Sequence, residues 1–272
     1  MIRAYRIPER KSFFGGMSAT NQLIIANVVF YFASLFVIFS LGEQFFLNNF
    51  ALTPSAILQG KSLWTLLTSM FSHLLFFHIF ANMFSLFFIG NFLEKLIGRK
   101  RFFLVYLISG LMGGIFFVFS GLIFSNDASG IGASGAVFGL LGVLAVLVPY
   151  SKISLILGPL ILILANVLLN PIIPANFAGI INLVFNVLIL IMIFSMFSFN
   201  SSLRKFAVPL ELRMYLLPVI AIVPLVLIGF FVDLPIGNSA HIGGLFIGLL
   251  YGFYLRQKFP NKTKMLSRHF SR

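Results

Sequence analysis

The chain has 272 residues, of which 60% are hydrophobic and 9% charged, and it contains no cysteine. A soluble domain carries roughly a quarter charged residues, so a water-soluble globule is excluded, as are disulfides, thiolate metal sites and a thiol nucleophile. The net charge of +13 is dispersed between apolar runs rather than gathered on one face, which argues against nucleic acid as a partner.

Residues 1–21 are basic and polar, with Arg3, Arg6, Arg10 and Lys11. This segment is too long for the n-region of a cleaved signal and reads as a cytoplasmic N-terminal segment ahead of a retained anchor. Eight apolar segments follow, at 22–41, 75–96, 102–125, 133–150, 153–169, 176–198, 214–232 and 238–255. Several approach the ~20 residues that cross a bilayer as a helix. The 153–169 run is short and contains Pro159, so it is either a crossing or a re-entrant or interfacial segment. Between the first two segments, residues 42–74 hold Phe45, Phe46, Leu52, Ile57, Leu63 and Trp64. That loop is too apolar for a solvated linker and is expected at the bilayer interface. The 214–232 run contains Pro218 and Pro224, each of which removes a backbone donor. Residues 257–272 form a basic tail. The expected fold is all-α, a polytopic transmembrane helical bundle spanning 22–256.

The charges test this count. With residues 1–21 in the cytoplasm, eight crossings place Lys95, Arg99, Lys100, Arg101, Lys152, Arg204, Lys205, Arg213 and the basic tail inside. Lys61 is the one basic residue left outside, with Glu43, Asp127 and Asp233. Lys and Arg resist translocation, so this asymmetry predicts both termini cytoplasmic. Removing any one segment inverts every later loop. Removing the adjacent pair 153–169 and 176–198 does not.

Polar side chains within apolar runs are costly in lipid and face the bundle interior or a water-filled cavity. His73, His78 and His241 lie near the outer ends of the second and eighth segments, Ser134 near that of the fourth, and Asn82 one turn below His78. All three segments enter from the outside, which places these groups within about 10 Å along the membrane normal. His78 and Asn82, at i and i+4, share one helix face. Taken alone, the pair reads first as interhelical hydrogen-bonding groups that hold packing. Gly132, Gly135, Gly139 and Gly142 form one stripe, and His241, Gly244, Gly248 and Gly252 another. Small residues at this spacing let membrane helices pack backbone to backbone. Such packing brings Ser134 within reach of His241, the nucleophile–base pairing of serine hydrolases. The soluble G-x-S-x-G elbow is absent, since the sequence reads G-A-S-G-A.

These residues resemble the rhomboid family of intramembrane serine proteases. His78-Ile-Phe-Ala-Asn82 matches its HxxxN, Gly90 to Gly98 its GxxxExxxG, Gly132-Ala-Ser134-Gly135 its GxSG, and Ala240-His241 to Gly248 its AHxxGxxxG. The resemblance runs from about residue 60 to 256 and implies a six-helix core, with residues 153–198 as an insertion of two further segments. It implies Ser134 as nucleophile and His241 as general base. It also implies His78, Asn82 and the Ser134 N–H as the oxyanion hole, with Gly132 and Gly135 shaping the serine turn and Glu94 structural. Two positions depart from the family. Trp64-Thr65 stands where Trp-Arg is common, which leaves the anchoring of that loop open. Phe138 stands where many members stack a tyrosine on the histidine.

The implied activity is hydrolysis of single-pass membrane proteins near the outer face of the cell membrane, with the site opening to the extracytoplasmic side and no metal or organic cofactor. Asp127 and Asp233 are the acids nearest that face. Two other readings compete. A catalytically inactive rhomboid-like protein that binds membrane clients typically lacks the serine or histidine, and both are present. A transporter predicts ionisable residues near the midplane, whereas Asp, Glu, Lys and Arg occur here at segment ends.

Overall fold

The computed structural model describes residues 16–195, 202, 205, 208–229 and 237–271. The chain divides into two compact units, the larger comprising the chain up to Pro149 with Tyr215–His269, the smaller containing Tyr150–Met214.

The larger unit opens with α1 (Ala19–Leu41). The second span is α5 (Phe76–Ser85), a π-helical turn (Leu86–Gly90) and α6 (Asn91–Ile97). The GxxxExxxG motif joins these two spans. The hydroxyl of Ser18 accepts from the N–H of Asn21 at 3.1 Å, and the Glu94 carboxylate accepts from the N–H groups of Ala19 and Thr20 at 2.8 Å each. The Thr20 hydroxyl donates to the same carboxylate at 2.7 Å. The first amides of a helix have no partner within it, and here a side chain from another helix supplies one. Gly90 allows the approach, since a Cβ there would come within 2.9 Å of the Thr20 methyl. Gly98, at φ +82°, makes the turn into α7 (Arg99–Phe124).

Short helices occupy the loop after α1: α2 (Glu43–Phe50), α3 (Pro54–Leu58) and α4 (Thr65–Thr68). The last carbonyls of α2 would be unsatisfied on their own. Asn48 accepts from Ser62 Oγ at 3.3 Å, Asn49 from Trp64 Nε1 at 2.8 Å, and Phe50 from Thr68 Oγ1 at 3.3 Å. Thr65 is buried and donates to the Ser62 carbonyl at 2.7 Å. The loop is thus anchored by its indole and hydroxyls on a helix end.

At the centre stand α7, α8 (Ser134–Leu147) and α12 (Asn238–Lys258), which pack most extensively on one another. Nearly every residue of α8 is buried, so this helix is apolar all round because protein surrounds it. It is also short: 14 residues against 26 in α7, or about 21 Å against about 39 Å at 1.5 Å per residue. The apolar run continues to Tyr150, but Val148 precedes Pro149 and leaves helical geometry at φ −133°, as residues before proline tend to. A helix preceding α12, α11 (Leu217–Gly229), carries Pro218 in its first turn and Pro224 in its interior. A last helix, α13 (Pro260–His269), follows α12.

In the smaller unit, β1 (Lys152–Ile156) pairs antiparallel with β2 (Pro209–Arg213), in register from Lys152↔Arg213 to Ile156↔Pro209. The apolar segment expected from 153 therefore begins as strand, where β-branched Ile153 and Ile156 meet ladder partners. α9 (Leu157–Leu169) packs on α10 (Ala175–Ser195). At 13 residues α9 measures about 20 Å, short of the ~30 Å hydrocarbon thickness.

Among the described residues, four helices are long and apolar enough to cross a membrane: Ala19–Leu41, Phe76–Ile97, Arg99–Phe124 and Ala175–Ser195. Their outward faces are apolar, with Phe39 91% exposed. The chain is an all-α, multi-pass integral membrane protein, with the two-stranded ladder its one described sheet.

Candidate active site

The site is built on the turn that leads into α8. Leu52 and Gly130 exchange backbone hydrogen bonds at 2.9 and 2.8 Å, and the Thr53 and Ser129 hydroxyls meet at 2.8 Å. Asp127 accepts from the Ser55 N–H at 2.8 Å and from its hydroxyl at 2.6 Å. These contacts fasten residues 127–130 to the loop after α1. Next comes Gly132, at φ +123°, whose N–H donates to the Ser69 carbonyl at 2.8 Å. A Cβ at Gly132 would lie 2.7 Å from both Cε1 and Nε2 of His78. Conformation and space both require glycine there.

Ser134 is the first residue of α8 and His241 lies in the first turn of α12. Their contact is a hydrogen bond of 2.8 Å between Ser134 Oγ and His241 Nε2. The glycine stripes account for it. A Cβ on Gly244 would overlap the Gly135 carbonyl, and one on Gly248 the Gly139 carbonyl. Gly135 in turn lies against the Ala240 carbonyl, as does Gly113 of α7, where a Cβ would come within 2.8 Å of that oxygen. Three backbones therefore converge beside the serine. The Phe138 ring stacks on the His241 ring, with centroids 4.4 Å apart and planes 19° from parallel. The other ring nitrogen, Nδ1, is buried and has no hydrogen-bond partner among the described residues. Asp127 is engaged with Ser55, and Asp233 lies outside the described residues.

His78 and Asn82 flank the serine turn from α5. The Asn82 amide nitrogen donates to the His78 carbonyl at 3.0 Å and lies 3.8 Å from where a Gly132 Cβ would be. Behind them is His73, fully buried, its ring edge-on to that of His78 at 4.9 Å. Burial, then the neighbouring His78, push the pKa of His73 down to about 3, so it packs as a neutral ring. The sequence places His73 near the site's depth, but its support of His78 depends on the turn at 72–75. Ser69 and Gly113 were not legible as site residues, because one contributes a backbone carbonyl and the other the absence of a side chain.

In chemical terms, a hydroxyl bonded to an imidazole at a helix start can form a covalent acyl intermediate. The nearby ring and amide nitrogens can donate hydrogen bonds.

The rhomboid domain model matches residues 60–176, which include His78, Asn82 and Ser134; His241 lies beyond the match. RHOMBOID-like protein 1 of Arabidopsis thaliana is 41% identical over 92 residues, 34% of this chain and 23% of that protein. Inactive RHOMBOID-like protein 8 of the same plant is 35% identical over 91 residues, 34% of this chain and 25% of that protein. Rhomboid protease GluP of Bacillus subtilis is 40% identical over 90 residues, 33% of this chain and 17% of that protein. The chain thus covers a quarter or less of the length of these relatives. The matched model, the motifs and these relatives together show that the chain contains a rhomboid domain.

Proposed function

We propose that this protein is an intramembrane serine endopeptidase acting through a Ser134–His241 dyad. The observation that carries the reading is the 2.8 Å hydrogen bond between Ser134 Oγ and His241 Nε2. Ser134 Oγ bonds to the scissile carbonyl carbon as its proton passes to Nε2. The C–N bond then breaks, and the leaving amine takes that proton. Water, deprotonated by the same nitrogen, attacks the acyl-enzyme, releases the new carboxyl group and restores the serine. His241 must be neutral at the start. Among the described residues Nδ1 has no partner and Asp127 is engaged with Ser55, which favours a two-residue mechanism. His78, Asn82 and the Ser134 N–H serve as donors to the oxyanion.

The substrates are membrane proteins, single-pass ones foremost, cleaved in or near their transmembrane segments. The site opens to the extracytoplasmic side of the cell membrane and both termini are cytoplasmic. Residues 22–256 form the rhomboid-like domain, with 153–198 inserted. The rival reading, a client-binding protein without catalysis, has a relative whose name includes "inactive", but the bonded serine and histidine weigh against it. A fluorophosphonate that labels the purified chain and fails on Ser134→Ala and His241→Ala supports the protease. Absence of labelling in the folded unaltered protein would overturn it.

A further inference from the structure

Phe117 lies on α7 one turn beyond Gly113, so the two share a helix face. At Gly113 that face admits the Gly135 backbone and the Ala240 carbonyl, each one residue from a member of the dyad. One turn nearer the end of α7, its neighbours are the turns that lead into α8 and α12, and the Phe117 ring reaches both. A Cβ at Gly130 would come within 2.8 Å of Cε1 and Cζ of the ring, and one at Gly237 would stand 3.5 Å from Cδ2. The ring therefore rests on bare backbone at Gly130 and lies in ordinary contact range of Gly237.

Gly130 stands four residues before Ser134, and Gly237 four before His241. Gly237 caps α12, and its carbonyl accepts from the His241 N–H at 3.2 Å. Gly130 is paired with Leu52, just ahead of Gly132, whose N–H is held by the Ser69 carbonyl. The serine turn thus has anchors of its own. On the histidine turn, the nearest atoms to a Gly237 Cβ from outside α12 belong to Phe117. A ring is a rigid body, and close-packed neighbours transmit its width.

We propose that Phe117 is a positioning residue for the dyad. Its ring spans the gap between the two turns and sets their separation, so that Ser134 and His241 meet at hydrogen-bonding distance. This role rests on the protease reading above and adds to it the part that aligns base with nucleophile. A ring that merely filled space between helices would contribute to stability alone.

The test measures the rate of fluorophosphonate labelling per folded molecule, with the melting temperature, on the purified full chain. A misplacement near 1 Å costs up to about 100-fold in rate, so Phe117→Ala should label about 10–100-fold more slowly. On a membrane-anchored substrate, kcat should fall with KM little changed. Phe102→Leu, which trims a buried ring at the other end of α7, should melt earlier yet label at the unaltered rate. Should Phe117→Ala fail to fold, Phe117→Leu and Gly130→Ala carry the test. Each should label slowly, and the double variant, in which the new methyl occupies the space the ring has left, should label faster than either. Equal labelling by the unaltered chain and a folded Phe117 variant would overturn the positioning role. So would independent effects in the double variant, or a raised KM with unchanged kcat, which would make the ring a substrate contact. An unaltered chain that never labels would sink the protease itself, whereas one that labels equally with and without the ring would sink the positioning role alone.

Discussion

The N–H of Tyr215 donates to the carbonyl of Pro149 at 3.1 Å, so the chain leaves the larger unit and rejoins it at one point. An even number of crossings by residues 150–214 is accordingly part of the topology proposed above. The Lys152↔Arg213 pairing brings the ends of the excursion together a second time. Replacing residues 151–213 by a short Gly-Ser linker should leave fluorophosphonate labelling of Ser134 intact. Loss of labelling in a folded deletion protein would mean that the excursion supports the site.

His78 and Asn82 can be separated from mere packing groups by paired measurements. Loss of one oxyanion donor typically slows turnover ~100–1,000-fold. His78→Ala and Asn82→Ala should show such losses while fluorophosphonate labelling weakens rather than disappears. Turnover and melting temperature are measured on the same samples. A lower melting temperature with unchanged turnover per folded molecule would make both residues structural. Asn82, whose amide already donates to His78, gives the sharper comparison.

The stack on His241 needs a ring rather than a hydroxyl. Phe138→Tyr should retain near-normal turnover. Phe138→Ala removes an aromatic contact worth about 0.5–1.5 kcal/mol and should lower kcat/KM by about 2–10-fold. Steady-state kinetics on one membrane-anchored substrate checks both variants, and an inactive Phe138→Tyr would show that the ring face is not what matters.

The glycine contacts predict a graded response. Overpacking typically costs about 1–3 kcal/mol, so Gly248→Ala and Gly244→Ala should both melt earlier. Gly244 lies one turn from His241 and against the carbonyl of the residue after Ser134. Its substitution should also slow labelling per folded molecule, whereas Gly248→Ala, a turn deeper, should slow it less. Equal labelling by both would separate packing from dyad geometry.

Orientation can be read with single cysteines, since the chain has none of its own. Gln59 and Lys264 are both exposed. Gln59→Cys in intact cells should react with an impermeant thiol reagent, and Lys264→Cys should react only after lysis. The opposite pattern would reverse the proposed side of the site.

Much of the site was legible because its chemistry has a period. Small residues three and four apart mark helices that touch, and a serine and a histidine at the heads of two such stripes mark where they meet. The short central helix was less visible, because hydropathy runs on through Val148 to Tyr150 while Pro149 ends the helix earlier. The strand at 153–156 was hidden for a related reason. An apolar run does not state its partner, and β2 begins more than fifty residues later. Trp64 is similar: its indole donates to Asn49, a carbonyl that no side-chain pattern reveals. What escaped the sequence was chiefly backbone, paired over long distances.

The carboxylate of Glu94 closes the start of α1 from 74 residues further along the chain. Ribosomal synthesis makes α1 long before Glu94 exists. Until then, the amides of Ala19 and Thr20 have only water or lipid headgroups to bond. The start of α1 thus gains its acceptor only when the second span stands beside it. Glu94 couples the two events, so that the first span settles into its final place as a consequence of the second having arrived.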